Sequence, residues 1–152
     1  MNPLRTIFAL MLAAAIVALS AYAADDTPEA TPAPPLVLDT SPAMRVAENW
    51  LAHIDSGRFA ESWDDTAAYF REAMPKAQWE TTLAQVRGPL GVAVTRKLRS
   101  AAYTRTLPGA PDGEYVVIQY DTRFENRPPS VETVTPMREK NGTWKVAGYH
   151  IR

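Results

Sequence analysis

At Arg87-Gly88-Pro89-Leu90-Gly91 the chain changes its period, and no other feature restricts the fold as much. Before this stretch apolar residues recur at helical spacing; after it they alternate. Helices first and strands afterwards define an α+β domain, read here as three N-terminal helices packed on a four-stranded antiparallel meander.

The helical half begins at Ser41-Pro42, an N-cap followed by proline in the first turn. Ala43, Ala47, Trp50, Leu51 and Ile54 then keep to one face, and Gly57 ends the helix. Phe59, Trp63, Ala67 and Phe70 mark a second helix from about Phe59 to Met74, with a break expected near Asp64-Asp65. Pro75 opens a third, in which Trp79, Leu83 and Val86 point one way. The strands are read as Val92 to about Leu107, Tyr115–Phe124, Val131–Glu139 and Thr143–Ile151. The loop from Pro108 to Gly113 separates the first two, Asn126–Pro129 turns the chain, and Asn141-Gly142 signals a tight hairpin.

These turns fix a register. A turn at Asn126–Pro129 pairs Phe124 with Val131, Thr122 with Thr133, Tyr120 with Thr135 and Ile118 with Met137. A turn at Asn141-Gly142 pairs Met137 with Val146 and Thr135 with Gly148. Opposed residues share a face. The face covered by helices is therefore expected to carry Val116, Ile118, Tyr120, Phe124, Val131, Met137, Trp144 and Val146. The opposite face is expected to carry Arg123 against Glu132, together with Val117, Val134, Ala147, Tyr149 and Ile151. An apolar cluster on an outer face reads as a partner surface, and sheet-to-sheet homodimerisation is one use for it.

Composition narrows the functional classes. The chain has 152 residues, no Cys and a formal net charge of −1. Met1 to Arg5 is short and basic, Ile7 to Ala18 is unbroken apolar chain, and Ala21-Tyr22-Ala23 offers small residues to a signal peptidase. Cleavage between Ala23 and Ala24 is expected, giving a periplasmic or secreted product; an uncleaved segment would be the one membrane contact. Removing residues 1–23 from 152 leaves 129, room for one domain with one core. Without Cys, disulfides, thiol chemistry and Cys-based metal centres are excluded, so packing must supply stability. The charge balance gives no footprint for nucleic acid. Residues 24–40, rich in proline and acid, read as a flexible tether.

Helices followed by a meander ending in Gly142-x-Trp144-x-Val146-x-Gly148-Tyr149 look like the cystatin-like or NTF2-like cone. More closely, the chain resembles the small exported bacterial proteins grouped as domain of unknown function 4019. The shared pieces are Trp50-Leu51-x-x-Ile54-Asp55-x-Gly57, Ser62-Trp63, Trp79, Arg87 to Gly91, Arg96, Leu107-Pro108-Gly109-x-Pro111-Asp112-Gly113-Glu114-Tyr115, Tyr120-x-Thr122-x-Phe124, Glu132 and Trp144 to Tyr149. The resemblance implies export and a compact domain. It carries over no activity and no catalytic residue, and its link to the wider cone fold is one of architecture.

Cones of this kind often hold a pocket between helices and sheet. Acid–base chemistry there would draw on Asp55, Asp121, Glu132, Tyr103, Tyr120 or Tyr149, but Asp55 sits at a helix end and Asp121 on the outer face, and neither is clearly in a pocket. No catalytic residue is therefore assigned. His53 and His150 lack a third metal ligand at any suitable spacing, so no metal or other cofactor is expected. A small ligand is expected to meet Arg96, Tyr120, Trp144 and His150. Arg96 can receive a carboxylate or phosphate if it points inward, although pairing with an internal acid is the commoner fate of such an arginine. The resulting expectation is a non-enzymatic module that binds a small molecule or an envelope protein.

Overall fold

The computed structural model describes residues 38–152, and the expected signal segment, the Ala23/Ala24 cleavage site and most of the expected tether lie outside them. Within that range α1 spans Ser41–Asp55, α2 Phe59–Asp64, α3 Ala68–Ala73 and α4 Lys76–Arg87, followed by a 3₁₀ turn at Gly88–Leu90. β1 spans Ala93–Thr104, β2 Tyr115–Phe124, β3 Arg127–Arg138 and β4 Trp144–Ile151. The sheet order is β1-β2-β3-β4, all antiparallel. The α+β reading holds. The second expected helix is two helices, α2 and α3, parted where Asp64-Asp65 suggested.

The start of α1 differs in detail. Ser41 is already helical and Thr40 occupies the N-cap without a side-chain bond. The Asp39 carboxylate accepts the Ser41 N–H instead, at 2.9 Å. Beyond it Ala43, Ala47, Trp50, Leu51 and Ile54 are buried as one stripe, the outcome of their 3.6-residue spacing. This stripe meets Trp79 and Leu83 of α4 and Val116, Ile118, Tyr120, Val134 and Val146 of the sheet. The Trp50 indole donates to the Ser62 carbonyl at 2.8 Å and Trp79 to the Ser62 hydroxyl at 3.0 Å. Ser62, fully buried, thus ties α1, α2 and α4 together with no polar atom left over between them. Trp50 and Trp79 are core residues with satisfied N–H groups.

The register corrects the sequence reading. Phe124 pairs with Arg127, Thr122 with Ser130, Tyr120 with Glu132 and Ile118 with Val134. The turn is therefore Glu125-Asn126, and Pro128 and Pro129 belong to the entry of β3. Against the expected partners this is a slip of four residues at Phe124 and, beyond the shift at Thr122, of three, and an odd slip exchanges the two faces of a strand. Val134 and Glu132 accordingly lie on the covered face, both fully buried.

A second correction concerns β4. Gly142, at φ +86°, closes a three-residue loop in which Glu139 and Thr143 face each other. Met137 therefore pairs with Lys145, and Pro136 with Val146. At Pro136, which has no N–H for the ladder, the register shifts and Ala147 becomes the extra residue of a bulge. Beyond it the expected pair Thr135–Gly148 is observed, and Tyr149 and Ile151 face the helices through Val134 and Glu132.

Gly91 fixes the entry to β1. Its φ is +72°, and a Cβ there would meet Glu125 and Asn126 at 2.8–2.9 Å. The flanking carbonyls of Leu90 and Val92 accept from Asn126 and Glu125. The start of the first strand is thereby pinned to the β2–β3 turn.

Candidate functional site

The corrected register brings together an ionic cluster that runs from the buried Glu132 to the exposed Asp55. α1 delivers Asp55 in its last turn, where a carboxylate opposes the helix dipole unless cations offset it. α4 delivers Arg87 and β1 delivers Arg96. Asp55 Oδ1 accepts from Arg87 Nη2 at 2.8 Å and from Arg96 Nη2 at 3.0 Å, and Oδ2 accepts from Arg96 Nη1 at 2.7 Å. On its other side Arg96 donates through Nε to Glu132 Oε2 at 2.6 Å. The Thr122 hydroxyl donates to Oε2 at 2.9 Å and the Tyr149 hydroxyl to Oε1 at 2.6 Å. Both oxygens of the buried Glu132 are thus hydrogen-bonded, which is what a carboxylate sealed from water requires. Arg87 also lies 4.6 Å from the centre of the Phe124 ring, a cation–π contact.

The carboxylates of this arrangement are saturated by its donors, whereas Arg87 Nε and Nη1 are buried without a partner among the described residues. Burial alone lowers the proton affinity of the Arg96 guanidinium, but its bonds to Asp55 and Glu132 and their charges outweigh that and raise it. Burial, then the Glu132 charge and hydrogen bond, raise the Tyr149 phenol well above its usual range. Burial, then the charge of Glu48, push Tyr120 up to about 12. Neither phenol gives up a proton near neutral pH, and every carboxylate oxygen in the cluster faces a donor. The cluster holds two helix ends to the sheet and presents no free base.

The sequence-based site residues separate accordingly. Arg96 points inward and its carboxylate partners are Asp55 and Glu132 of this chain, so its guanidinium is already engaged. Tyr120 is buried, with a hydroxyl that has no hydrogen-bond partner among the described residues. Trp144 lines a small cleft of about 150 Å³ with Val46, Asn49, Trp50, Asp65 and Lys145. His150 pairs with Thr133 as expected, yet it is exposed on the uncovered face, because the Ala147 bulge reverses the end of β4. It cannot join Arg96 and Tyr120. The expected outer cluster also divides: Val134, Tyr149 and Ile151 turn inward, Ala147 sits in the bulge, and Val117 remains outside. The apolar patch on which sheet-to-sheet dimerisation rested is not there. Of the other candidates, Asp121 is exposed and pairs with Arg99 at 3.1 Å, and Tyr103 donates to Glu114 at 3.1 Å. His53 Nε2 lies 3.4 Å from Asp65, which also pairs with Lys145 at 2.9 Å.

Two surface features were missed. The first is an open cleft of about 890 Å³ between α3, the 105–114 loop and the β3–β4 hairpin, lined by Tyr69, Arg105, Asp112, Met137 and Lys140 among others. The Pro108–Gly113 turn residues signalled a long loop but not that it would form a wall. The second is the edge of the sheet at β1. α1 lies across β2, β3 and β4, whereas β1 packs extensively on β2 alone. Val92, Val94 and Leu98 are 63%, 45% and 50% exposed. Leu98 faces the helical side opposite Tyr120, but no helix covers it there.

A helix-covered meander whose acids and arginines pair with one another, with an edge strand left bare at β1, is thus the class of domain that fold and site define. The chain belongs to the family described as protein of unknown function (DUF4019), whose profile matches residues 46–149. A solved structure from Catenulispora acidiphila is 14% identical with a TM-score of 0.44, over 74% of this chain and 88% of that one. No curated protein matches the sequence.

Proposed function

We propose that this protein is an exported, non-enzymatic module that binds a protein partner in the cell envelope. The observation that carries the reading is the disposition of its polar and apolar groups. The carboxylates and arginines able to do chemistry are bonded to one another, from the buried Glu132 out to the exposed Asp55, while large aliphatic side chains stand in solvent along β1. Catalysis asks for the reverse, a reactive group in a cleft. Export is supported by the basic, apolar and small-residue succession of the first twenty-three residues.

The open cleft beside α3 favours a second reading, a module for a small polar ligand, since about 890 Å³ is a usual size for such sites. Native mass spectrometry of the chain purified from the periplasm of an expressing bacterium separates the readings. The first reading expects a monomer beginning at Ala24 with no added mass. A retained small molecule would favour the cleft. A stable homodimer would contradict both and point to assembly.

A further inference from the structure

We infer that β1 accepts an extended, acidic and apolar segment of a partner chain as a fifth strand of the sheet. This rests on the reading of the domain as a partner-binding module and names the partner's chemistry.

An edge strand offers unpaired N–H and C=O groups along one side, and a free edge is where an extended peptide can add. The two edges of this sheet are treated differently. At β4 the chain itself covers the edge at one point: Thr66 bridges Val146, and the Ala67 N–H donates to the Val146 carbonyl at 2.8 Å. At β1 no segment does so among the described residues. Among the described residues, three of the five exposed large hydrophobics, Val92, Val94 and Leu98, lie on β1 or adjoin it.

Charge selects among occupants. Residues 92–107 include Arg96, Lys97, Arg99 and Arg105 and no acid. Arg96 is engaged inward and Arg99 with Asp121, while Lys97 and Arg105 form no ion pair among the described residues. A second copy of β1 would set these cations against one another, and like charges opposed across a ladder are unfavourable. A strand alternating acidic with aliphatic residues meets both the cations and the exposed valines and leucine. Bulges near Val94 and Arg99 divide the edge, leaving Thr95–Leu98 and Ser100–Thr104 as its regular stretches. Together with Lys97 they discourage indiscriminate pairing, so that recognition depends on a complementary sequence.

The test is a nuclear magnetic resonance titration of the exported, nitrogen-15-labelled chain with a short, end-capped peptide of alternating valine and glutamate. The expected result is that amide shifts gather on Thr95–Thr104 and exchange there slows about tenfold or more. A valine–lysine peptide binds at least about tenfold more weakly, and N-methylation of the peptide backbone abolishes binding. A Lys97→Glu/Arg99→Glu variant reverses the preference between the two peptides. Equal binding of both peptides, shifts centred on the cleft by Tyr69 and Lys140, or no shift at millimolar peptide would overturn the inference. If β1 does not respond while Leu98→Asp chain still retains an envelope partner, strand addition falls and the binding-module reading stands.

Discussion

The two edges of the sheet differ in what the chain does with them. At β4 the α2–α3 connection runs alongside Val146 and donates a hydrogen bond to it, Lys145 pairs with Asp65, and Arg71 donates to the Thr66 carbonyl of the same connection. At β1 the helices stop short, and Leu98, which shares a cross-sheet row with Tyr120, Glu132 and Ile151, stands half exposed. The ionic cluster lies between the two. It fastens the C-terminal ends of α1 and α4 to β1 through Arg96, so β1 is held by paired charge rather than by a covering helix. A strand held in this way can stay ordered while its outer edge remains bare.

The largest expected effect is at the cluster. Glu132→Ala leaves Arg96 without one carboxylate and Tyr149 without its acceptor, and should lower unfolding stability by about 3–5 kcal/mol in urea denaturation. A loss under about 1 kcal/mol would mean that the cluster does not hold β1. Next comes the closed edge. Ala67 has φ −62°, which suits proline. Ala67→Pro therefore removes the N–H that reaches Val146, with an expected cost of about 1–3 kcal/mol and faster amide exchange in β4.

An alkaline effect of intermediate size should follow from the phenols. Tyr149 and Tyr120 hold their protons more tightly in the folded chain than in the unfolded one, where tyrosine titrates near 10.0. Their contribution is complete below that value and is lost as pH rises through the folded value, about 12 for Tyr120. Each can remove up to about 1.4 kcal/mol of stability per pH unit above 10. Tyr149→Phe should flatten the fall seen by thermal denaturation across pH 9 to 11; an unchanged slope would place the Tyr149 hydroxyl outside the cluster. The smallest effect is at the open edge. Leu98→Thr should alter stability by no more than about 0.5 kcal/mol, and a larger loss would show that Leu98 is packed rather than exposed.

Much of this fold is legible in the sequence. The helical stripe of α1, the break at Asp64-Asp65, the order of helices before strands and the span Tyr115–Phe124 all follow from periodicity and breakers. The site was not legible, and prolines are the reason. Pro128-Pro129 looked like part of a turn, yet they sit at the entry of β3 beside its register shift. Pro136 lies inside β3 at a second shift. A proline within a central strand is itself a signal of a bulge. Read in that way, it would have turned Tyr149 inward and His150 outward. The three-residue slip at the first hairpin hid Glu132, because a side chain assigned to the outer face is not considered as a partner for Arg96. The bare edge of β1 depends on where α1 crosses the sheet, and helical spacing says nothing of that crossing.

Residue-resolved hydrogen exchange on the free chain tests the contrast between the edges most directly. The prediction is that alternate amides of Thr95–Thr104 exchange at nearly unprotected rates, while the Ala67 amide and the amides of β4 next to Val146 are strongly protected. Uniform protection along β1, equal to that of β2, would contradict it, because the edge would then already be covered.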